Sequence, residues 1–298
     1  MIFDTHAHYD DKAFDEDREA VLASLAGAGV GRVIDVAASP ASIARVRELA
    51  ATHPFVYGAV GLHPDEIGAL SDEVLSEMRG AICDPKIAAV GEIGLDYHWD
   101  VEPHDVQIAG FRAQAELAIG AGKPIIVHSR SAAQDTLRVI EGLYGSGRPA
   151  EKMARAQALR SLVPDEYIEV PGKEWVLRKE VPPGPGRDLA RKGIIHAYAY
   201  STEQARIYTG MGFLLGIGGV VTYKNARKLK KVVAEMPLTS LVLETDCPYL
   251  APEPHREERN DSRYLRHVVR AIAEIKGVTE EEVERVTWEN AVGLCEKT

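Results

Sequence analysis

The sequence predicts an α/β protein built as a (β/α)8 TIM barrel, and two observations support this fold class. Eight short apolar runs rich in Val and Ile follow one another, as expected for strands buried on both faces of a parallel sheet. Segments with helical patterns lie between these runs, and the chain of 298 residues can hold a barrel of about 250 residues. A doubly wound open sheet is the alternative. It normally carries a glycine-rich phosphate loop after an early strand, and the sequence has neither GxGxxG nor GKS/GKT.

The strands and helices can be assigned in order along the chain. We predict strands at residues 2–8, 32–38, 56–62, 87–95, 124–130, 193–199, 213–219 and 241–246. Helical patterns cover 16–27 and 40–51, the second with Ser39 as the N-cap before Pro40. The capping-box patterns SAAQ (131–134) and STEQ (201–204) predict two further helix starts. A helix over 262–276 ends at Gly277, and another begins within 279–282.

One segment, 146–191, interrupts this alternation before the sixth strand. It is rich in charge and proline, and it is far longer than the 2–6 residues of a typical helix-to-strand connection. We therefore expect a single domain over 1–298 that carries an inserted segment. Within the insertion, YIEV and WVLRKEV on either side of PGKE predict a β-hairpin. Its role stays open between a surface excursion, a substrate lid, a partner arm and a dimer contact.

Composition limits the classes of function. The net charge of −10 argues against a broad basic face that coats nucleic acid. It does not exclude a nuclease, since bound divalent cations add positive charge where a phosphate must lie. The three cysteines, Cys83, Cys247 and Cys295, are far apart and outside any CxxC pair, which indicates reduced thiols. With no transmembrane run and no secretory signal, we expect a cytoplasmic protein that does not contact membranes.

Ionisable residues cluster at the carboxyl ends of the predicted strands. His6 and His8 share one face of the first strand, because residues i and i+2 of a strand point the same way. The full set is His6, His8, Glu92, His128, His196 and Asp246, with His63 just after the third strand. In a barrel these ends converge on one mouth, where active sites are built. One histidine at a strand end is usually a satisfied polar residue. Six ionisable residues from five strands predict a metal centre, because burying them without partners is costly.

The ligand set fits two ions better than one, because a catalytic site must keep a position open for water. His6, His8 and Asp246 come from neighbouring strands and would hold one ion. His128 and His196 would hold the other, and Glu92 would bridge the two. Imidazole and carboxylate ligands favour zinc, manganese or iron over calcium, and magnesium is less natural with so much nitrogen.

This ligand set predicts hydrolysis. Two divalent ions lower the pKa of water and polarise the bond under attack. We assign the catalytic roles to Glu92 and Asp246, with Asp246 accepting a proton from the water. No GxSxG elbow is present, which disfavours a serine nucleophile.

These motifs resemble, in order and over nearly the whole chain outside the insertion, those of the TatD family of metal-dependent deoxyribonucleases. The matching segments are DTHAHYD, GLHPDE, GEIGLDYH, PIIVHSR, GIIHAYAYS, GFLLGIGG, LVLETDCPYLAPEPHREERNDSRYL and WENAVGLC. The resemblance implies a TIM barrel, two divalent metals including magnesium, and hydrolysis of DNA, often as an exonuclease. Its implied ligands are the six residues named above. It also implies that His63 and Arg130 lie near the site and contact phosphate. HAYAY at 196–200 departs from the family's usual HCFSG, which affects substrate access more than metal binding.

Basic and aromatic side chains near the strand ends are candidates for DNA contacts. Arg256 and Arg263 belong to a group that follows Asp246 closely, with His255 and Arg259, and arginine pairs well with phosphate oxygens. A second basic run contains Lys224, Arg227, Lys228, Lys230 and Lys231, although such a run is usually a solvated helix face. Tyr97, Trp99, Tyr198 and Tyr223 are candidates for stacking on unpaired bases.

Three functions remain possible from the sequence. The first is a two-metal phosphodiesterase that acts on DNA ends or single strands, with no obligate protein partner. The second is a hydrolase of a small amide, ester or lactone on the same barrel. Many barrels of that second type bridge their ions with a lysine carbamate on the fourth strand, where this chain has Glu92. The third is a non-catalytic binding module, against which the complete ligand set argues.

Overall fold

The computed structural model describes residues 1–145 and 192–295, in which eight parallel strands close into a barrel in chain order. The strands are β1 (Ile2–Ala7), β2 (Val30–Val36), β3 (Val56–Val60), β4 (Ile87–Asp96), β5 (Ile125–Arg130), β6 (Gly193–Ile195), β7 (Phe213–Ile217) and β8 (Leu241–Leu243). The barrel closes where Asp4 of β1 pairs with Leu243 of β8. The predicted (β/α)8 fold is therefore confirmed. The predicted insertion and its hairpin, 146–191, lie outside the described residues.

Helices follow the strands around the outside of the barrel. In the described residues they are α1 (Arg18–Ser24), α2 (Pro40–Thr52), α3 (Asp72–Ile82), α4 (His104–Ala121), α5 (Ala133–Tyr144), α6 (Thr202–Gly210), α7 (Arg227–Glu235), α8 (Leu265–Lys276) and α9 (Glu280–Cys295). The predicted cap of α2 is confirmed, because the Ser39 side chain accepts from the Ser42 amide and Ser42 reciprocates. Ser201 likewise accepts from the backbone amide of Gln204 at the start of α6.

Several predicted strand ends and one predicted cap are wrong in detail. β2, β3 and β7 each end two residues before the predicted position. The sixth strand stops at Ile195 and the eighth at Leu243, where we expected residues 199 and 246. Ala197 and Asp246 have left-handed backbones, with φ of 42° and 60°, and such residues cannot continue a regular ladder. Ser131 does not cap α5. It also has a left-handed backbone, and the helix begins two residues later with no side-chain cap.

The buried core positions the mouth of the barrel. One apolar cluster takes residues from all eight strands, and Ala291 and Leu294 of α9 pack against it. Side chains alternate along a strand, so a residue two positions after a member of this cluster points to the same face as that member. Ile126, Ile194 and Val242 belong to this cluster, and their counterparts two positions on are His128, His196 and Glu244. The apolar core therefore fills one end of the barrel and leaves ionisable side chains at the other.

Two expectations about the chain as a whole can be compared with the structure. No helix among the described residues is both long enough and apolar enough to cross a membrane. None of the three cysteines, which all lie within the described ranges, forms a disulfide, and Cys247 is buried while Cys83 is exposed.

Candidate metal centre

Three imidazoles, two from β1 and its end and one from the end of β6, converge on one carboxylate. The Nε2 atoms of His6, His8 and His196 lie 3.7, 3.4 and 3.5 Å from Oδ1 of Asp246. The Nε2 atoms of His6 and His8 are only 3.0 Å apart, and the rings of His6 and His196 stack with centroids 3.5 Å apart. Lone pairs this close repel one another unless a proton or a cation lies among them.

Glu92 faces two groups of histidines, one with each carboxylate oxygen. Its Oε2 lies 3.3 Å from Nε2 of His6 and 3.8 Å from Nε2 of His8. Its Oε1 lies 2.7 Å from Nδ1 of His128 and 3.9 Å from Nε2 of His196. The side chain is almost fully buried. Glu92 thus connects the His6 and His8 pair to His128 and His196.

Hydrogen bonds to the far ring nitrogens select which nitrogen faces the centre. His8 donates from Nδ1 to the carbonyl of Val36 at 2.7 Å. His196 donates from Nδ1 to Oε2 of Glu244 at 3.1 Å. Both bonds leave the Nε2 lone pair directed at the centre, as is usual for histidine ligands. The ring of His128 has the opposite orientation. Its Nε2 donates to Asp96 at 3.0 Å, and its Nδ1 faces Glu92.

Sequence reasoning missed Glu244 and Asp96. Each is buried, and each holds a histidine of the centre by its far nitrogen. A signal was available, because Glu244 lies two positions before Asp246 in LETD and Asp96 lies four positions after Glu92 in GEIGLD, and these spacings predict a shared face with a predicted ligand. Their partners depend on which strand faces meet, and that information is not in the local sequence.

A glycine on β7 provides the space for Glu244. A Cβ atom added at Gly216 would lie 2.0 Å from Oε2 of Glu244, well inside contact distance. Any larger residue there would displace the carboxylate that orients His196. The geometry of the centre therefore requires a glycine at position 216.

The charges of the centre shift the pKa values of its members. Burial opposes protonation of His8, but its hydrogen bond to Asp246 and the nearby carboxylates raise its pKa to about 10. In His196 burial is likewise outweighed by Glu244, Asp246 and Glu92, and the pKa rises to about 10. Burial and the neighbouring His196 lower the pKa of His6. Burial opposes ionisation of Glu92 and Asp246, yet the surrounding histidines hold both carboxyl pKa values below their ordinary range.

The residues fit divalent cations. Three groups have ligand atoms within 4.8 Å of one another among the described residues, namely His6 with His8 and Glu92, His6 with His196 and Glu244, and His63 with Glu92 and His128. All of these residues except the fully buried His6 line a cavity of about 1010 Å³ at the barrel mouth. The walls of this cavity carry eight carboxylates but only two basic side chains besides histidine, Arg130 and Lys228. So much negative charge opposes an anionic ligand unless bound cations offset it.

The residues predicted to bind substrate divide into two sets. His63 and Arg130 line the cavity. His63 accepts at Nδ1 from the amide of Asp65, and burial lowers its pKa to about 4, so the neutral ring presents Nε2–H. Arg256 and Arg263 do not line this cavity. Arg256 lies over the ring of Tyr223 at 4.2 Å, and Arg263 pairs with Asp261 at 2.7 Å.

The other candidate DNA contacts also fall into two sets, those that line the cavity and those that pair with other residues. Trp99, Tyr198 and Lys228 line the cavity. Tyr97 donates instead to Asp135, and Tyr223 donates to the carbonyl of Ala251. Arg259, from the group after β8, pairs with Asp17 at 2.6 Å.

Known proteins match this chain over nearly its whole length. A family model described as TatD related DNase matches residues 3–296. An uncharacterized metal-dependent hydrolase of Bacillus subtilis, YabD, is 35% identical over 99% of this chain and 98% of its own. The Mycobacterium tuberculosis protein named TatD, also an uncharacterized metal-dependent hydrolase, is 32% identical over 97% of this chain and 96% of its own. The crystal structure of the Escherichia coli TatD homologue YjjV superposes with a TM-score of 0.79 at 28% identity, covering 100% of this chain and 98% of that one.

Proposed function

This chain belongs to the TatD family of metal-dependent hydrolases, and on that premise we propose that it hydrolyses phosphodiester bonds of DNA at a centre of two divalent ions. The observation that carries the proposal is Glu92. Its two oxygens face different histidines, Oε2 facing His6 and Oε1 facing His128, as expected for a carboxylate shared between two ions. The description of the matching family, TatD related DNase, supports DNA as the substrate.

We assign His6, His8 and Asp246 to one ion, His128 and His196 to the other, and Glu92 to both. The nitrogen-rich set suits zinc or manganese, and magnesium is the third candidate. When bound, such ions act as Lewis acids, lowering the pKa of water and offsetting negative charge on phosphoryl oxygens.

The chain's own residues supply the remaining steps. The histidines around Asp246 hold its carboxyl pKa below the ordinary range, so the ionised side chain can accept the proton of the attacking water. Arg130 and Lys228 line the cavity and can bind phosphate oxygens. The neutral ring of His63 can donate its Nε2–H to another of these oxygens.

A hydrolase of a small amide, ester or lactone is the alternative. Two features favour the phosphodiester. Glu92 occupies the position on β4 where many such hydrolases have a carboxylated lysine. The cavity, at about 1010 Å³, is at the upper end of the range for small-molecule sites. A binding module without catalysis is less consistent with a complete set of ligands.

We further propose that DNA ends or single strands are the substrate, that the enzyme needs no obligate protein partner, and that it acts in the cytoplasm. Three cysteines without a disulfide among the described residues support this compartment.

The test is a panel of substrates with defined metals. Protein freed of metal by a chelator should be inactive, and Zn²⁺, Mn²⁺ or Mg²⁺ should restore cleavage of a 3′-labelled oligonucleotide. RNA, nucleotides, amides and lactones complete the panel. Metal-loaded protein that hydrolyses a lactone or amide but neither single- nor double-stranded DNA would reject the proposal.

A further inference from the structure

Exposed apolar side chains gather at the mouth of the barrel. Six large ones are exposed among the described residues, and three of these, Trp99, Tyr249 and Leu250, line the cavity of the metal centre. Trp99 is 61% exposed and Tyr249 is 57% exposed. Aromatic rings left in water beside a polar site indicate a surface that a ligand covers.

The two aromatic rings lie on opposite sides of the centre. Trp99 follows β4 and Tyr249 follows β8. In a closed barrel of eight strands in chain order, β4 and β8 have three strands between them in either direction. A ligand that contacts both rings would therefore span the mouth of the barrel, in the cavity that Glu92 and Asp246 also line.

The backbones that carry both rings are fixed by residues of the centre itself. The amide of Trp99 donates to Oδ1 of Asp96 at 3.0 Å, while Oδ2 of the same carboxylate holds His128. The amide of Tyr249 donates to the carbonyl of Asp246 at 2.9 Å, and Asn260 donates to the carbonyl of Tyr249 at 2.7 Å. These contacts fix the backbone positions from which the two rings project.

A positively charged side chain lies beside the ring of Trp99. The guanidinium of Arg130 lies 5.2 Å from the ring of Trp99. A flat apolar face next to a cation matches a nucleotide, in which an aromatic base adjoins a phosphate.

We propose that Trp99 and Tyr249 each stack on a nucleobase, one on either side of the phosphodiester that is cut. This inference rests on the proposed hydrolysis of DNA and names the part of the substrate that the mouth recognises. Both bases must be unpaired to reach the rings, so the bound substrate is a single strand or a frayed end. Alanine in place of a stacking ring typically costs roughly 5- to 150-fold per base.

The test compares two oligonucleotides that have identical phosphates. One is a single-stranded oligothymidylate, and in the other the terminal nucleotides are abasic. We expect wild-type protein loaded with Mn²⁺ to cleave the natural strand at least tenfold better in kcat/KM. In Trp99→Ala and Tyr249→Ala this preference should fall toward one, and Trp99→Phe and Tyr249→Phe should largely retain it.

A matched control uses the loop of Trp99. Val101 is 58% exposed but does not line the cavity, so Val101→Ala should keep the wild-type preference. Equal cleavage of both strands by the wild type would overturn the inference. So would a loss in Trp99→Ala that is the same for both strands.

A binding measurement separates this inference from the proposed function. Titration with the natural strand should quench the fluorescence of Trp99, seen as the difference between wild type and Trp99→Phe, and the abasic strand should quench it little. Quenching without cleavage of any DNA would retain the stacking of bases on the two rings and reject the hydrolysis. Cleavage without selective quenching would retain the proposed hydrolysis and reject the stacking of bases on the two rings.

Discussion

At the scale of single residues, the centre depends on carboxylates that each make two contacts. Glu92 contacts two groups of histidines, and Glu244 accepts from both His196 and the amide of Ala197. Neither carboxylate can be replaced by a side chain with one acceptor without leaving a buried donor unpaired, which is costly.

Replacement of Glu92 should have the largest effect. In Glu92→Ala the contacts that join the two groups of histidines are lost, so we expect lower metal content and a fall in hydrolysis of at least about a hundredfold. Metal analysis after gel filtration and the oligonucleotide assay measure the two effects. Glu48→Ala, at an exposed carboxylate on α2, is the control. Full metal content in Glu92→Ala would contradict the bridging role.

Glu244→Gln tests a residue that contacts a ligand. The amide keeps one acceptor but places a donor group against either the His196 Nδ1–H or the Ala197 amide. We expect metal affinity to fall by about 10- to 100-fold while the barrel stays folded by circular dichroism. Unchanged affinity in a metal titration would show that His196 does not need this partner.

At the scale of elements, β7 contributes to the centre by having no side chain at one position. Gly216 faces the Glu244 carboxylate across the β7–β8 pair. A strand that carries no ligand can therefore still determine the geometry of the ligands on its neighbours.

Gly216→Ala should weaken metal binding without removing the fold. Its new Cβ would overlap Glu244, so the carboxylate must move and His196 loses its support. We expect metal affinity to fall by about 10- to 100-fold, as for direct loss of such a partner. Gly80→Ala is the matched control, since a Cβ there meets nothing within 4 Å. Equal metal affinity in the two variants would show that β7 tolerates the methyl group.

The sequence predicted those features that follow from the alternation of side chains along each strand and from the order of the strands. His6, His8, His128 and His196 could be assigned to one mouth because each follows an apolar run that ends at that mouth. What depends on contacts between distant segments could not be assigned. Arg259, predicted to contact DNA, pairs instead with Asp17, which lies 242 positions earlier in the chain, and nothing in the local sequence shows this.

At the scale of the whole molecule, protons and metal ions compete for the same buried site. Asp96 and Glu92 raise the pKa of His128 to about 9 against the effect of burial, and His8 and His196 rise to about 10. Because these folded values exceed the ordinary value near 6.5, protonation stabilises the metal-free protein fully below pH 6.5. This contribution is lost as the pH rises through 9 to 10.

Metal should therefore stabilise the protein more as the pH rises. Bound ions replace the protons of these histidines, so apparent affinity should increase by up to about tenfold per pH unit for each proton released. The difference in Tm between metal-loaded and metal-free protein should widen from pH 6 to pH 8.5, as thermal unfolding at fixed metal concentration would measure. A constant difference would mean that metal uptake releases no protons.

The closure of β1 against β8 also has a consequence for the order of synthesis. His6 and His8 are translated about 240 residues before Asp246, a delay of roughly 12 to 48 s at ordinary elongation rates. During that interval the nascent chain offers only an incomplete set of ligands. Because Asp246 comes beside His6 only once the seam between the first and last strands has formed, the full centre cannot assemble during translation of the earlier strands. Tight retention of metal should thus mark chains that have finished both synthesis and folding.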